Sequence, residues 1–391
     1  MKYDFETLIP RKNMGSRKWD TMVQHNPNAA EDVIPMSTAD MEFKNPPELA
    51  EGLKEYIDHS ILGYTMPNDA FYASVVRWMK DRHQWDIKPE WLVQAPGVVN
   101  ALFGIVKTFT EPGDGIIIMQ PVYHPFAMAI TQNNRVLVNN ALIHDGNTYQ
   151  IDFEDLEKKA KDPKNKMLIF CSPHNPIGRV WTREELEKVG RICIDNNVLV
   201  VSDEIHFDFI LTGYKHTVFA SISEEFAQHC IICTAPSKTF NIAGLKISNI
   251  VIPNDELRKK LLEKYQRDFS SNALGIQACR ICYDRCGAWK DEMLCMIEYN
   301  YQQVKRFVEE KIPQIKVTEL QGTYLLWLDC TGLGLSDEQL EKLTLDADLY
   351  LNQGRMFGEG GRGFERVNLA CPTRYLIAAM ERLKKAVDAL K

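Results

Sequence analysis

The sequence lacks any apolar stretch long enough to cross a membrane. Its longest apolar runs, at residues 115–119 and 198–201, have the length of strands, whereas a membrane-spanning helix needs about 20 apolar residues. Residues 1–20 carry charges throughout and do not follow the pattern of a secretory signal peptide. We therefore expect a soluble, cytoplasmic protein with no membrane partner.

An excess of positive charge is also missing. The 391 residues include 46 Lys and Arg against 53 Asp and Glu, which gives a net charge of −7. A field of this sign repels nucleic acids and anionic membrane surfaces. We therefore expect no nucleic-acid partner, and the sequence shows no repeat or Gly/Ser-rich linker that would mark an added module.

The ten cysteines include two Cys-x-x-Cys pairs, a spacing that zinc sites also use. Cys230 and Cys233 lie in a strand-like run, where residues three apart face opposite sides of a sheet. Cys279, Cys282 and Cys286 share one face of a helical pattern, as small buried residues do. We therefore expect no metal, and no disulfide framework in a reducing compartment.

The middle of the chain alternates short apolar runs with helical patterns, which is typical of a parallel sheet covered by helices. The predicted strands are residues 114–119, 135–138, 167–171, 198–202, 229–234 and 247–252. Later come a helix at 288–311, strands at 315–320 and 323–330, and a helix at 374–390. The sequence thus predicts an α/β fold with three parts: an N-terminal segment 1–45 that joins the small domain, a large domain 46–287, and a small α+β domain 288–391.

Polar residues that directly follow the strands are the first candidates for function, because open α/β sheets bind ligands outside the carboxyl ends of their strands. Asp203 follows a buried strand, and its carboxylate needs a cation or strong donors there. A protonated pyridine nitrogen would suit it, although an Asp that caps the next segment is an equal alternative. Lys238 precedes a Gly-containing loop, where a desolvated amine could attack an aldehyde, but a lone lysine is more often a solvated side chain.

Two further segments have the composition of ligand loops. Asn175 lies in an Asn-Pro-Ile-Gly turn that would present its amide to a ligand. Gly97, Val98 and Val99 open a helical pattern, whose free backbone N–H groups could bind a phosphate. Taken alone, an ordinary turn and an ordinary helix start explain both segments equally well.

In this order and spacing, the segments resemble the fold-type I pyridoxal-phosphate (PLP) enzymes, the aspartate aminotransferase superfamily, across essentially the whole chain. Five motifs carry the resemblance: the loop at 97–99, Tyr123 in Pro-Val-Tyr-His-Pro, the turn at 175–178, Asp203, and the pair Ser237 and Lys238. The resemblance implies a PLP cofactor and a large domain with a mostly parallel sheet flanked by helices. It also implies a homodimer with shared active sites.

Four stretches resemble the cystathionine β-lyase or C–S lyase branch of that superfamily: 17–20, 39–43, 171–181 and 202–206. Typical aminotransferases carry a tyrosine three residues after the aspartate, and this chain has His206 there. The branch implies β-elimination of sulfur amino acids, which yields a thiol, pyruvate and ammonia. An aminotransferase, and a PLP-bearing protein with a regulatory, partner-binding role, remain the alternatives.

The resemblance also implies roles for individual residues around the cofactor ring. Lys238 would hold PLP covalently and move protons, and Asp203 would pair with the pyridine nitrogen. Asn175 would bind the ring hydroxyl, Tyr123 would stack on the ring, and His206 is counted with the cofactor-binding residues.

Other residues would bind the cofactor phosphate or the substrate. The phosphate would be held by the backbone N–H groups of residues 97–99, by Ser237 and Lys246, and by Tyr64 of the neighbouring subunit. Ala235 replaces a serine that many aminotransferases carry, which leaves the hydroxyl contribution to the phosphate site open. For the substrate α-carboxylate, Arg366 is the first choice because a guanidinium binds a carboxylate through two hydrogen bonds. Arg374 is the second, and it fits the first turn of a solvated helix as well.

Overall fold

The computed structural model describes residues 2–265 and 271–390. Its α-helices are α1 Arg17–His25, α2 Pro47–His59, α3 Asp69–His83, α4 Val98–Phe109, α5 Pro125–Thr131, α6 Phe153–Ala160, α7 Arg183–Asp195, α8 Glu224–Gln228, α9 Pro236–Thr239, α10 Asp255–Tyr265, α11 Ala273–Arg285, α12 Gly287–Lys311, α13 Asp337–Asp346 and α14 Thr373–Asp388. Its strands are β1 Leu92–Ala95, β2 Gly115–Ile118, β3 Val136–Asn139, β4 Ile143–His144, β5 Tyr149–Gln150, β6 Asn165–Cys171, β7 Leu199–Asp203, β8 Cys230–Thr234, β9 Ser248–Val251, β10 Lys316–Val317, β11 Leu325–Asp329, β12 Asn352–Gln353 and β13 Phe364–Asn368.

A seven-stranded sheet forms the centre of the larger part, in the order β1-β9-β8-β7-β6-β2-β3. Only β9 is antiparallel to its neighbours, so β1, β8, β7, β6, β2 and β3 all run in one direction. Side chains of α3, α7 and α11 are buried on one face, and those of α4, α5 and α10 on the other. The prediction of a mostly parallel sheet flanked by helices is confirmed.

Alternate residues of β8 belong to the cores on opposite faces of the large sheet. Cys230 and Ile232 belong to the core on one side of the sheet, whereas Ile231 and Cys233 belong to the core on the other. The two cysteines therefore face opposite sides, as the strand pattern predicts. All ten cysteines are unpaired, and the described residues hold no cluster of three or more His, Cys, Asp or Glu that could bind a metal. Within the same residues, no helix is long and apolar enough to span a bilayer.

A second, antiparallel sheet has the order β10-β11-β13-β12. Its core takes side chains from α1, α13 and α14 and from the second half of α12, whose first half packs in the core of the large sheet. The N-terminal segment is divided in the same way. Trp19 and Met22 pack with the small sheet, whereas Phe5 and Phe43 pack with the large one. The boundaries 1–45, 46–287 and 288–391 stay a prediction, and residues 1, 266–270 and 391 lie outside the described residues.

Three strands that matter for the site, β1, β12 and β13, were not predicted, and one predicted strand is shorter than expected. In β13, the charged or polar residues Glu365, Arg366 and Asn368 interrupt the apolar pattern, although all three are buried. The four-residue strand β1 is too short to give a clear signal. Of the predicted strand at 315–320, only Lys316–Val317 pairs, because the following residues turn toward the large domain, where Gln321 N–H donates to the Gly178 carbonyl.

Candidate active site

Five parallel strands of the large sheet end at the same edge, and each is followed by one of the five sequence motifs. Gly97 follows β1, Tyr123 follows β2, Asn175 follows β6, Asp203 ends β7, and Lys238 follows β8. Because the strands are parallel, their carboxyl ends bring together side chains that are up to 141 positions apart in the sequence, from 97 to 238.

A cavity of about 340 Å³ opens at this edge, and we call it the lysine cavity. Ten of the predicted site residues line it: Gly97, Val98, Val99, Tyr123, Asn175, Asp203, His206, Ser237, Lys238 and Lys246. Tyr64, Arg366 and Arg374 are not among its lining residues.

Asp203 is buried at the end of β7, with only 4% of its surface exposed. Its Oδ1 accepts a hydrogen bond from the Ile205 N–H at 3.1 Å. Burial raises the pKa of the Asp203 carboxyl to about 7, against the smaller lowering effects of this hydrogen bond and of the Lys238 charge. The carboxyl therefore lacks a close cation, and a protonated ring nitrogen placed in the cavity would supply one.

Lys238 lies in the short helix α9, which begins directly after β8, so its amine is held at the sheet edge. Its Nζ donates to the Ala39 carbonyl at 2.7 Å. Burial lowers the pKa of the Lys238 amine to about 8. A much larger fraction of the amine is therefore neutral near pH 7 than for an ordinary lysine, and the neutral amine is the nucleophile.

The Ala39 carbonyl is held in place by a network of charges around Glu42. This buried carboxylate pairs with Lys18 at 2.6 Å and with Arg11 at 2.6 Å, and it accepts a hydrogen bond from the Trp19 indole at 3.0 Å. Met41, which lies between Ala39 and Glu42, exchanges two backbone hydrogen bonds with the Asn241 side chain, at 2.9 and 3.0 Å. The N-terminal segment is therefore fixed by contacts within itself and by contacts with the loop that follows Lys238.

The part of the lysine cavity at the start of α4 has the features of an anion site. Helix α4 begins at Val98, and its first backbone N–H groups have no acceptor within the helix. Its N-cap, Gly97, has φ +111°, a conformation that side-chain-bearing residues rarely adopt, and a Cβ there would meet nothing within 4 Å. Lys246 and Ser237 line the same cavity and add a cation and a hydroxyl. These groups match a phosphate.

Arg366 lies on β13 of the small sheet and reaches the large sheet. Its Nη1 donates to Asn175 Oδ1 at 2.8 Å, and its Nη2 donates to Asn352 Oδ1 at 2.6 Å and to the Ser37 carbonyl at 2.9 Å. The guanidinium also lies over the Phe357 ring, 4.8 Å from its centroid. Burial lowers the pKa of Arg366 to about 10, and its Nε has no hydrogen-bond partner among the described residues. Arg366 is thus a buried, fixed cation with a donor to spare.

Arg374 and Tyr64 have different surroundings. Arg374 is exposed in the first turn of α14, where its guanidinium lies against the Tyr375 ring. It lines neither the lysine cavity nor the cavity around Arg366, so the geometry favours Arg366 for a carboxylate. Tyr64 is fully exposed, in the segment between α2 and α3.

Several groups at the site have no signal in the sequence. Asn352 binds Arg366 from a two-residue strand, and the Ala39 and Ser37 carbonyls act through the backbone, which any residue type can supply. Arg366 and Asn175 form a buried polar pair, but they belong to different predicted domains, and no local sequence pattern connects the two.

The residues of the lysine cavity fit PLP. The carboxyl of Asp203 suits a ring nitrogen, Asn175 and Tyr123 line the same cavity, and the start of α4 with Lys246 suits the phosphate. Lys238 provides the amine that would bind the aldehyde. The ring nitrogen, the aldehyde and the phosphate of PLP therefore each have a suitable group in the lysine cavity.

This arrangement is that of an α/β enzyme with an amine suited to hold a cofactor at the edge of a parallel sheet, and comparison with known proteins gives the family. Residues 31–383 match the family described as aminotransferase class I and II. The chain belongs to that family.

Individual relatives cover the chain from end to end. Cystathionine beta-lyase PatB of Bacillus subtilis is 41% identical over 388 residues, which cover 98% of this chain and all of that protein. The crystal structure of cystalysin from Treponema denticola, which contains a pyridoxal 5'-phosphate cofactor, is 48% identical with a TM-score of 0.98, covering 100% of both chains. A PLP-bound C-S lyase from Staphylococcus hominis is 30% identical with a TM-score of 0.92, covering 99% of this chain and 98% of that one. The resemblance read from the motifs, and the fold type that it implies, are confirmed.

We expect the cofactor-free protein to capture PLP with a pH dependence set by Lys238. Because burial lowers the pKa of this amine to about 8, the rate of covalent capture should rise with pH and level off near pH 8 to 9, not above pH 10. The rate can be followed by the visible absorbance of the bound cofactor. Asp203→Asn is the control that removes the other group that titrates in this range. A midpoint above pH 10 in both proteins would contradict the assigned environment of Lys238.

Proposed function

We propose that this protein is a PLP-dependent carbon–sulfur lyase. It removes the sulfur substituent from Cβ of a sulfur amino acid by β-elimination, with one water consumed, and it yields a thiol, pyruvate and ammonia. The observation that carries the proposal is the joint placement of Lys238 and Arg366: both line a second cavity, of about 660 Å³, that meets the lysine cavity at Ala39, Val99, Tyr123 and Lys238. We call it the arginine cavity. The full-length similarity to a cystathionine beta-lyase supports the same reaction.

Arg366 binds the α-carboxylate of the substrate in the arginine cavity. Asn175 and Asn352 hold two of its nitrogens, so the guanidinium cannot swing away when the substrate arrives. A carboxylate that meets this fixed cation is positioned with its Cα toward Lys238. Such preorganisation lowers the entropy cost of reaching the reactive geometry.

Lys238 moves the protons. Lys238 Nζ would accept the Cα proton of a bound substrate, and the low pKa of the buried amine favours the neutral form that this step needs. PLP, when bound, supplies an electron sink that stabilises negative charge at Cα. The Cβ–S bond then breaks with its electron pair on sulfur, and the Lys238 amine, which carries the proton taken from Cα, can return a proton to the thiolate.

Asp203, which lines the lysine cavity, would support the electron sink. A carboxylate at the end of β7 stabilises a proton on the ring nitrogen, and its burial strengthens that interaction because little water competes. His206 lines the same cavity, and burial keeps the pKa of its imidazole well below 6.5, so it is a neutral neighbour that does not compete for the carboxylate.

The first test is turnover of L-cystathionine by the purified holoenzyme, with pyruvate and free thiol measured together. We expect equal amounts of both, and we expect Lys238→Ala to lower turnover about 100- to 10,000-fold because the proton-transfer group is lost. Unchanged turnover in Lys238→Ala would reject the mechanism. An aminotransferase needs the same residues, so keto-acid formation from alanine and 2-oxoglutarate without any thiol release would move the assignment to that activity.

Arg366 and Arg374 form a matched pair for the carboxylate site. Arg366→Gln should lower kcat/KM for cystathionine at least about 10-fold, because a charge-assisted, partly desolvated contact is lost. Arg374→Gln removes the same charge from an exposed helix turn and should change kcat/KM less than twofold. The reverse order of the two variants would place the carboxylate site at the start of α14.

The homodimer with shared active sites is part of this proposal. Between α2 and α3, Ile61, Leu62, Tyr64 and Met66 are all exposed, and such a cluster of large apolar side chains is typical of a surface that another chain covers. Tyr64 would then reach the phosphate in the neighbouring subunit. We also propose a cytoplasmic location, since ten unpaired cysteines suit a reducing compartment.

Mixing two inactive variants tests the shared site. In a hybrid of Lys238→Ala and Tyr64→Ala subunits, one site has both residues intact and the other has neither. Random mixing makes half of the dimers hybrid, so we expect about a quarter of the wild-type activity to return. No recovery, with hybrid formation verified by differential tags, would mean that Tyr64 does not act across the interface.

A further inference from the structure

The arginine cavity is about twice the size of the lysine cavity and extends beyond the residues assigned so far. One of its walls is helix α1. Arg17, Thr21 and His25 line the cavity at intervals of four residues, which is one face of a helix. A volume of about 660 Å³ lies in the range of sites that hold whole drug-sized ligands, so it can take more than the α-amino acid portion of a substrate.

Arg17 is the unpaired cation of this wall. Within the described residues, its guanidinium has no hydrogen bond and no ion pair, whereas the neighbouring Lys18 is paired with Glu42. Glu341, the acidic residue among those that line the cavity, is engaged by Arg355. The cavity therefore presents positive charge that no protein carboxylate neutralises.

His124 supplies a second unsatisfied group in the same cavity. Its Nδ1 is buried and has no hydrogen-bond partner among the described residues. Burial, followed by the charges of Arg366 and Arg17, lowers the pKa of the imidazole, so His124 is neutral near pH 7 and one ring nitrogen is a donor. A neutral donor and a free guanidinium together suit an anion that enters from the cavity.

We propose that Arg17, assisted by His124, binds an acidic group on the leaving thiol and so selects thioether substrates whose far end carries a carboxylate. This rests on the proposed β-elimination, which places the α-carboxylate on Arg366 and the Cα on Lys238. The part of the substrate beyond sulfur then extends into the rest of the arginine cavity, where Arg17 is the unpaired cation. A guanidinium binds a carboxylate through two parallel hydrogen bonds, which gives direction as well as affinity.

The test uses three S-substituted L-cysteines with leaving groups of different charge. S-(3-carboxypropyl)-L-cysteine has an acidic arm, S-butyl-L-cysteine has a neutral arm of similar length, and S-(2-aminoethyl)-L-cysteine has a cationic arm. The wild-type holoenzyme should prefer them in that order by kcat/KM, with the difference residing mainly in KM. The preference for the acidic arm should weaken as salt is added, because screening acts on the charge of Arg17.

The decisive variants are Arg17→Gln and Arg17→Glu. Arg17→Gln should lower the ratio of kcat/KM for the acidic arm over the neutral arm by about 10- to 100-fold, the size of a lost hydrogen-bonded charge. Arg17→Glu should go further and favour the cationic arm over the acidic one. His124→Leu should lower the same ratio by a smaller factor, and its effect should largely vanish in the Arg17→Gln background, since both residues act on one group.

Lys311→Gln is the matched control, because it removes a cation from an exposed position at the end of α12, outside the arginine cavity. If Arg17→Gln lowers turnover of all three substrates by the same factor, or if Arg17→Glu does not reverse the charge preference, the inference is wrong. Failure of the proposed function has a separate signature: the wild-type protein would then release neither thiol nor pyruvate from any of the three.

Discussion

The whole site depends on the burial of two opposite charges at one edge of a parallel sheet. Desolvation raises the pKa of Asp203 to about 7 and lowers that of Lys238 to about 8, so burial disfavours the charged form of both groups. Neither side chain binds the other, because Lys238 donates to the Ala39 carbonyl instead. The free-energy cost of burying both groups is offset by the packed cores on the two faces of the sheet. A charged aromatic ring bound in the cavity that both groups line would lower this cost.

The strand-end residues could be read from the sequence because each follows a short apolar run that the large sheet requires. Asp203, Lys238 and Asn175 stand where such runs stop, and their order matches that of a known family. The sheet direction then dictates that they meet. Parallel strands bring their carboxyl ends together whatever the length of the connections, so no knowledge of long-range contacts is needed to place these residues side by side.

The substrate side of the site was harder to predict for a physical reason. Arg366 could be named only as one of two arginines, because its partners Asn175, Asn352 and Ser37 come from three distant segments. Its strand, β13, has buried polar residues in place of an apolar pattern. Arg17 drew attention only as part of a branch-like stretch, and its isolation from any protein carboxylate is a property of packing that no sequence window contains.

The division of the site between two sheets also sets the order in which a growing chain can build it. All of the strands that carry the five cofactor motifs lie between residues 92 and 234, and Lys246 follows shortly after, whereas Arg366 and Asn352 come near the end of the sequence. During synthesis from the N-terminus, the half of the site that fits the cofactor is therefore made well before the half that fits a substrate carboxylate. A chain that ends before β12 and β13 would hold an amine suited to aldehydes without Arg366. The selectivity that we assign to Arg366 therefore comes with the last strands of the small sheet, and it adds to that of α1, which is made first.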